Sequence, residues 1–94
     1  MATVTLSSAG VGAAQSGATG NTTSVLIVND SDSTITCDLT TGGSSVEQAN
    51  ITIQKKDFKI ITGLASAAKT LTSVKTTHAT VAQSGEKIYI HPAA

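Results

Sequence analysis

The sequence predicts an all-β fold, a small antiparallel β-sandwich or barrel of six to seven short strands with a flexible N-terminal arm, and three observations carry that reading. Thr and Ser supply 27 of the 94 residues, and Val, Ile and Leu another 20; β-branched side chains suit a pleated surface and lose rotamer freedom in a helix. Apolar and polar residues alternate in short runs bounded by Gly, Asn, Asp and Ser. Of the 21 Val, Ile, Leu and Phe residues, 18 lie between positions 24 and 91. A β domain over 24–94 therefore follows an arm, 1–23, too poor in large side chains to build a core of its own.

Within the arm, residues 1–6 (MATVTL) read as a strand with Ala2, Val4 and Leu6 on one face and Thr3 and Thr5 on the other. Residues 7–23 carry four glycines, no charge and a single large apolar side chain, Val11, which is a linker composition. Such a linker has a root-mean-square span of ~23 Å and a reach of roughly 55 Å, enough to arrive at a neighbouring subunit. Ala2, Thr3, Val4, Thr5 and Leu6 are therefore the candidate interaction residues. Their strand pairs either with the sheet edge of another chain or with its own sheet.

In the domain, residues 24–29 (SVLIVN) are continuously apolar and predict a central strand covered on both faces. Residues 34–39 (TITCDL) alternate, with Ile35, Cys37 and Leu39 inward, and the polar residues 30–34 suit a hairpin loop between the two runs. A turn signal at 40–45 (TTGGSS) precedes a third strand at 49–54, a turn at Lys55-Lys56-Asp57 and a fourth strand at 58–62 stopped by Gly63. Residues 78–82 and 86–91 flank Gln83-Ser84-Gly85 as a closing hairpin that Pro92 ends. The stretch 64–77 has two readings. Leu64, Ala67, Ala68, Leu71 and Val74 fit one face of a short helix, whereas four threonines favour a loop entering a strand over 70–76.

Composition then narrows function. Six lysines balance six acidic residues and there is no Arg, so the bidentate donor that reads phosphates and bases is missing and nucleic acid is not an expected partner. The longest apolar run, 25–28, is far short of the ~20 residues that span a bilayer, so no membrane partner is expected either. The first charge is Asp30, which leaves a secretory signal without its basic front; synthesis in the cytoplasm is the expectation. Phe58 and Tyr89 are the only aromatics.

No catalytic, cofactor or metal constellation has specific spacing, and the chain is not expected to be an enzyme. Cys37 stands alone between Ile35 and Leu39 and reads as a buried small hydrophobe. His78, His91 and Cys37 lack the spacing of a zinc site. Asn29-Asp30-Ser31-Asp32-Ser33 is oxygen-rich like a calcium loop, but Ile35 stands where that loop needs Gly and Thr41 where it needs a bidentate Glu. Asn21, Asn29 and Asn50 all begin Asn-x-Ser/Thr, which the hydroxyl-rich composition accounts for.

An opening Met1-Ala-Thr-Val-Thr-Leu6, an uncharged Gly/Ala/Ser/Thr arm and short Thr/Val/Ile strands with few aromatics resemble small structural proteins of tailed bacteriophages, capsid decoration or cement proteins above all. The resemblance spans the chain in style and carries no diagnostic motif. It implies a virion protein made in the host cytoplasm, many copies clamped on a major capsid protein or other virion protein, a homo-oligomer with the trimer favoured, and an arm that adds contacts between neighbours. A head–tail connector, tail or fibre component would use the same fold. A carbohydrate-binding or host-adhesion module would normally show an aromatic platform.

Overall fold

The computed structural model describes residues 2–5, 17–41, 45–76 and 86–93, which form eight strands and no helix. These are β1 (Ala2–Thr5), β2 (Gly17–Thr22), β3 (Val25–Asp30), β4 (Ile35–Thr41), β5 (Ser45–Ile53), β6 (Asp57–Ile61), β7 (Ala67–Thr76) and β8 (Lys87–Pro92). They pair antiparallel in two sheets of four, β1-β8-β3-β6 and β2-β7-β4-β5. The all-β sandwich is thus the observed class.

Period-two alternation selects the core. Val25 and Ile27 of β3 and Ile88 and Ile90 of β8 face Ile35, Cys37 and Leu39 of β4, Leu71 and Val74 of β7, and Ile51 and Ile53 of β5; Leu64 closes the cluster from the β6–β7 connection. The alternation predicted for residues 34–39 is the one observed, with Thr36 and Asp38 half-exposed between buried neighbours. The continuously apolar run of β3 behaves otherwise. Val25 and Ile27 are fully buried, but Leu26 and Val28 are only half-buried, because the outer face of their sheet is not covered by another layer among the described residues. A central strand it is, covered on one face.

Of the two readings of 64–77 the structure has the strand, β7 over Ala67–Thr76, and not the helix; the cause of the misleading helical spacing is visible. Lys69 and Leu71 alternate inward, then β7 takes one extra residue, and Val74 and Thr76 resume. Against β4 the register steps from Thr36↔Lys75 to Asp38↔Thr72, with Ser73 at φ 53. A bulge thus turns the period-two interval into the three-residue interval from Leu71 to Val74 that mimics a helix. The strand on the other side of β4 is bulged at the same level: Cys37↔Ile51 gives way to Leu39↔Gln48, Asn50 has φ 55, and its amide donates to Asp38 Oδ1 at 3.0 Å.

Residues 17–22 were expected as linker and instead form β2, which pairs with β7. Its register slips between Ala18 and Asn21, and there the Thr19 hydroxyl accepts the Lys69 amide at 3.4 Å in place of a backbone carbonyl. Side-chain oxygens that replace ladder partners let a Gly/Thr segment hold an edge without apolar residues. β1 pairs in its own chain, Ala2 opposite Ile90, Thr3 opposite Tyr89, Val4 opposite Ile88 and Thr5 opposite Lys87. Leu6, and the strand expected at 78–82, lie outside the described residues.

The loop after β3 is not a hairpin, since β3 and β4 lie in different sheets. It crosses from one sheet to the other and turns its polar groups inward around Asn29, which is fully buried. Asn29 Nδ2 donates toward the carbonyls of Ser33 (2.8 Å), Ile53 (3.0 Å) and Gln54 (3.0 Å), while Oδ1 accepts the Ser31 amide (3.1 Å) and hydroxyl (2.6 Å). One amide thus satisfies two connections that leave the sheets at this end. Replacing Asn29 by Ala strands those carbonyls, so Asn29→Ala should lower the urea-unfolding free energy by about 2–3 kcal/mol with an unchanged slope.

Candidate functional site

The register lays out the outer face of β1-β8-β3-β6 row by row. One row runs Thr3, Tyr89, Val28, Phe58, and the next runs His91, Leu26, Ile60. Tyr89, Val28, Leu26 and His91 are half-buried, while Phe58 and Ile60 are 58% and 56% exposed. Both aromatic residues of the chain therefore stand outside the core, two strands apart, with Val28 between them. Neither ring packs in the inter-sheet cluster, which is built from aliphatic side chains and Cys37.

The third row is charged and bounds the apolar area. Asp30 lies opposite Lys87, and Lys56 Nζ reaches Asp30 Oδ1 at 3.2 Å, the Asp30 carbonyl at 3.3 Å and Asp32 Oδ1 at 4.0 Å. The hydrogen bond that Lys56 donates to Asp30 raises the Lys56 pKa, opposed by desolvation and helped by the charges of Asp30, Asp32 and Glu86. Glu86 Oε2 accepts the Asp32 amide at 2.8 Å. The oxygen-rich loop is thus engaged by a lysine on its carboxylate side and by Asn29 within, and the described residues hold no cluster of three side chains suited to a metal. Asn29, being fully buried, is closed to glycosylation.

The other sequence candidates are dispersed. Cys37 is 1% exposed between the sheets, whereas His91 is on the outer face, so the two share no site; His78 lies outside the described residues. Desolvation, with a smaller push from Asp38 and a partial offset from Lys59, drives the Cys37 thiol up to about 12. It is a packing group, as the sequence indicated. The candidate strand Ala2–Thr5 is at a sheet edge, paired with β8 on one side and with no second hydrogen-bonded strand among the described residues, although β2 of the other sheet lies close to it.

An ion pair between a buried lysine and a half-buried glutamate escaped the sequence reading. Lys69, on the inward side of β7, is fully buried and donates to the carbonyls of Ala65 and, at 3.3 Å, Ala67, with Glu47 Oε1 at 3.4 Å. Glu47 also accepts the Thr41 hydroxyl and, at 2.9 Å, the Ala65 amide; these bonds, Thr41 first, hold its carboxyl below the usual range. The one signal for Lys69 was its two-residue distance from Leu71. The cluster ties β4, β5 and β7 to the β6–β7 connection and reads as an architectural joint.

Comparison with protein-family models, curated proteins and solved structures returns no match.

Two stability measurements check this assignment of the inner polar groups. Because the folded Cys37 pKa lies far above its ordinary 9.0, the folded chain retains a proton that the unfolded chain loses. The thiol's contribution is therefore complete below about pH 9 and declines as pH rises toward 12, by up to ~1.4 kcal/mol per unit; Cys37→Val should flatten that part of the profile in urea melts. Glu47→Ala should destabilise more than Lys69→Met, since the first leaves a buried ammonium without its counter-charge and the second removes it.

Proposed function

We propose that this chain is a virion structural protein, a decoration or cement protein that lays the outer face of β1-β8-β3-β6 on the exterior of a phage head and stabilises it. The observation that carries the reading is the placement of Phe58 and Ile60, more than half exposed and continuous with half-buried Leu26, Val28 and Tyr89. An exposed apolar area bordered on one side by charge is the kind of surface that docks on protein. The small aliphatic core sets modest stability for the isolated chain, which binding to a lattice raises by mass action. The partner is a major capsid protein or another virion protein, contacted by many copies.

A second reading has one specific observation in its favour. Phe58 and Tyr89 share a face and a row, which is the beginning of an aromatic platform for a carbohydrate in a host-adhesion module. Two rings separated by an aliphatic side chain, with charge along one border only, support protein docking better.

Mass measurement of purified particles tests the first reading: hundreds of copies per particle are expected, and about six or twelve would turn it to a connector. Tyr89→Ser should leave the fold cooperative, with a loss of about 1 kcal/mol, yet reduce the copies retained on particles severalfold. A variant retained at wild-type occupancy, or specific binding of the isolated chain on a glycan array, would overturn the docking assignment.

A further inference from the structure

Among the described residues no strand lies beyond β6, and its edge has the longest unbroken register of the four sheet edges. β2 and β5 are bulged, β1 has four residues, and β6 keeps an unbroken register of five pairs with β3. Bulges and shortness are ordinary defences against strand addition; β6 has neither.

Which backbone groups face that edge can be read twice over. Ser24 O accepts Ala93 N at 2.9 Å, so the even-numbered residues of β3 turn their backbone groups toward β8 and the odd-numbered ones toward β6. Asp57, Lys59 and Ile61 consequently bond to β3, while Phe58 and Ile60 direct theirs outward. Independently, the Phe58 amide donates at 2.8 Å to Oδ1 of Asp57, the side chain of the residue before it, and not to β3. An outward amide held only by its own neighbour is ready to exchange for a strand carbonyl.

We infer that β6 pairs antiparallel with β6 of a second copy, about a two-fold axis normal to the sheet at Phe58, to make one continuous eight-stranded sheet. Charge selects this register. Centred on Phe58, it sets Asp57 of each copy opposite Lys59 of the other, two opposite-charge pairs by symmetry, with the Phe58 residues opposite one another. A register centred on Lys59 opposes two ammonium groups, and one centred on Ile60 leaves Asp57 without a cation. In the Phe58 register each Phe58 amide meets the other copy's Phe58 carbonyl, and Asp57 exchanges that amide for Lys59. The axis also brings both outer faces to the same side, so a pair of copies presents twice the apolar area to one flat partner. The inference concerns the isolated chain and does not depend on what that face docks onto.

Light scattering and sedimentation equilibrium on the full chain test it. The wild type should be a concentration-dependent dimer; Asp57→Lys and Lys59→Asp should each weaken it about tenfold, and the two together should recover most of the loss. Under mild oxidation Phe58→Cys should cross-link the dimer, since opposed residues in a hydrogen-bonded pair lie about 5.5 Å apart at Cα, within disulfide reach; Lys59→Cys should not. A monomer at millimolar concentration, a trimer, or a dimer whose two charge reversals fail to complement overturns the pairing. Tyr89→Ser, which is remote from the 57–59 contact, leaves the dimer intact, so the docking reading and this one fail separately.

Discussion

Two four-stranded sheets must be held together by a layer that contains no aromatic ring among the described residues: its apolar part is twelve side chains, all aliphatic except Cys37. Everything else follows from how little that layer can hide. Branched side chains pack densely but add few square ångströms each, so the ends of the sandwich cannot be closed by apolar bulk. They are closed by hydrogen bonds instead. Asn29 with Ser31 and Ser33 joins the β3–β4 and β5–β6 connections, and Lys69 with Glu47 joins β4, β5 and β7 to the residues before β7.

The same economy explains the surface. A chain with one Phe and one Tyr puts both on the outside of one sheet, where they contribute little to the core. Large rings are the most effective apolar residues a small domain has. Their position on a face that no described residue covers, beside Leu26, Val28 and Ile60, is what makes that face the functional candidate. The charged border of Asp30, Lys56 and Lys87 then limits the apolar area to two rows.

Legibility differed from element to element for physical reasons. Ile35, Cys37 and Leu39 were assigned inward from spacing alone, because β4 is central in its sheet and its unequal neighbours carry the bulges. The stretch at Leu64–Val74 was ambiguous because a bulge at Ser73 adds one residue to a period-two pattern, and that sum equals a helical interval. β2 was invisible, since Gly17-Ala-Thr-Gly-Asn-Thr22 has no apolar alternation and is held by β7 and by the Thr19 hydroxyl. The candidate face was hidden for the opposite reason: Leu26 and Val28 look like core residues, and only the sheet order shows that no layer of the described residues covers them.

Local pattern by itself determined the class, the strand character of 24–29, 34–39, 49–54, 58–62 and 86–91, and the packing role of Cys37, because alternation and branching act within a single strand. Tertiary structure decided which strands are neighbours, that the 30–34 loop crosses between sheets, and that Lys69 is buried while Phe58 is not. Those outcomes depend on what lies across the sheet, on the next strand or on the opposing layer. A linear pattern carries the period of a strand and is silent about its neighbours.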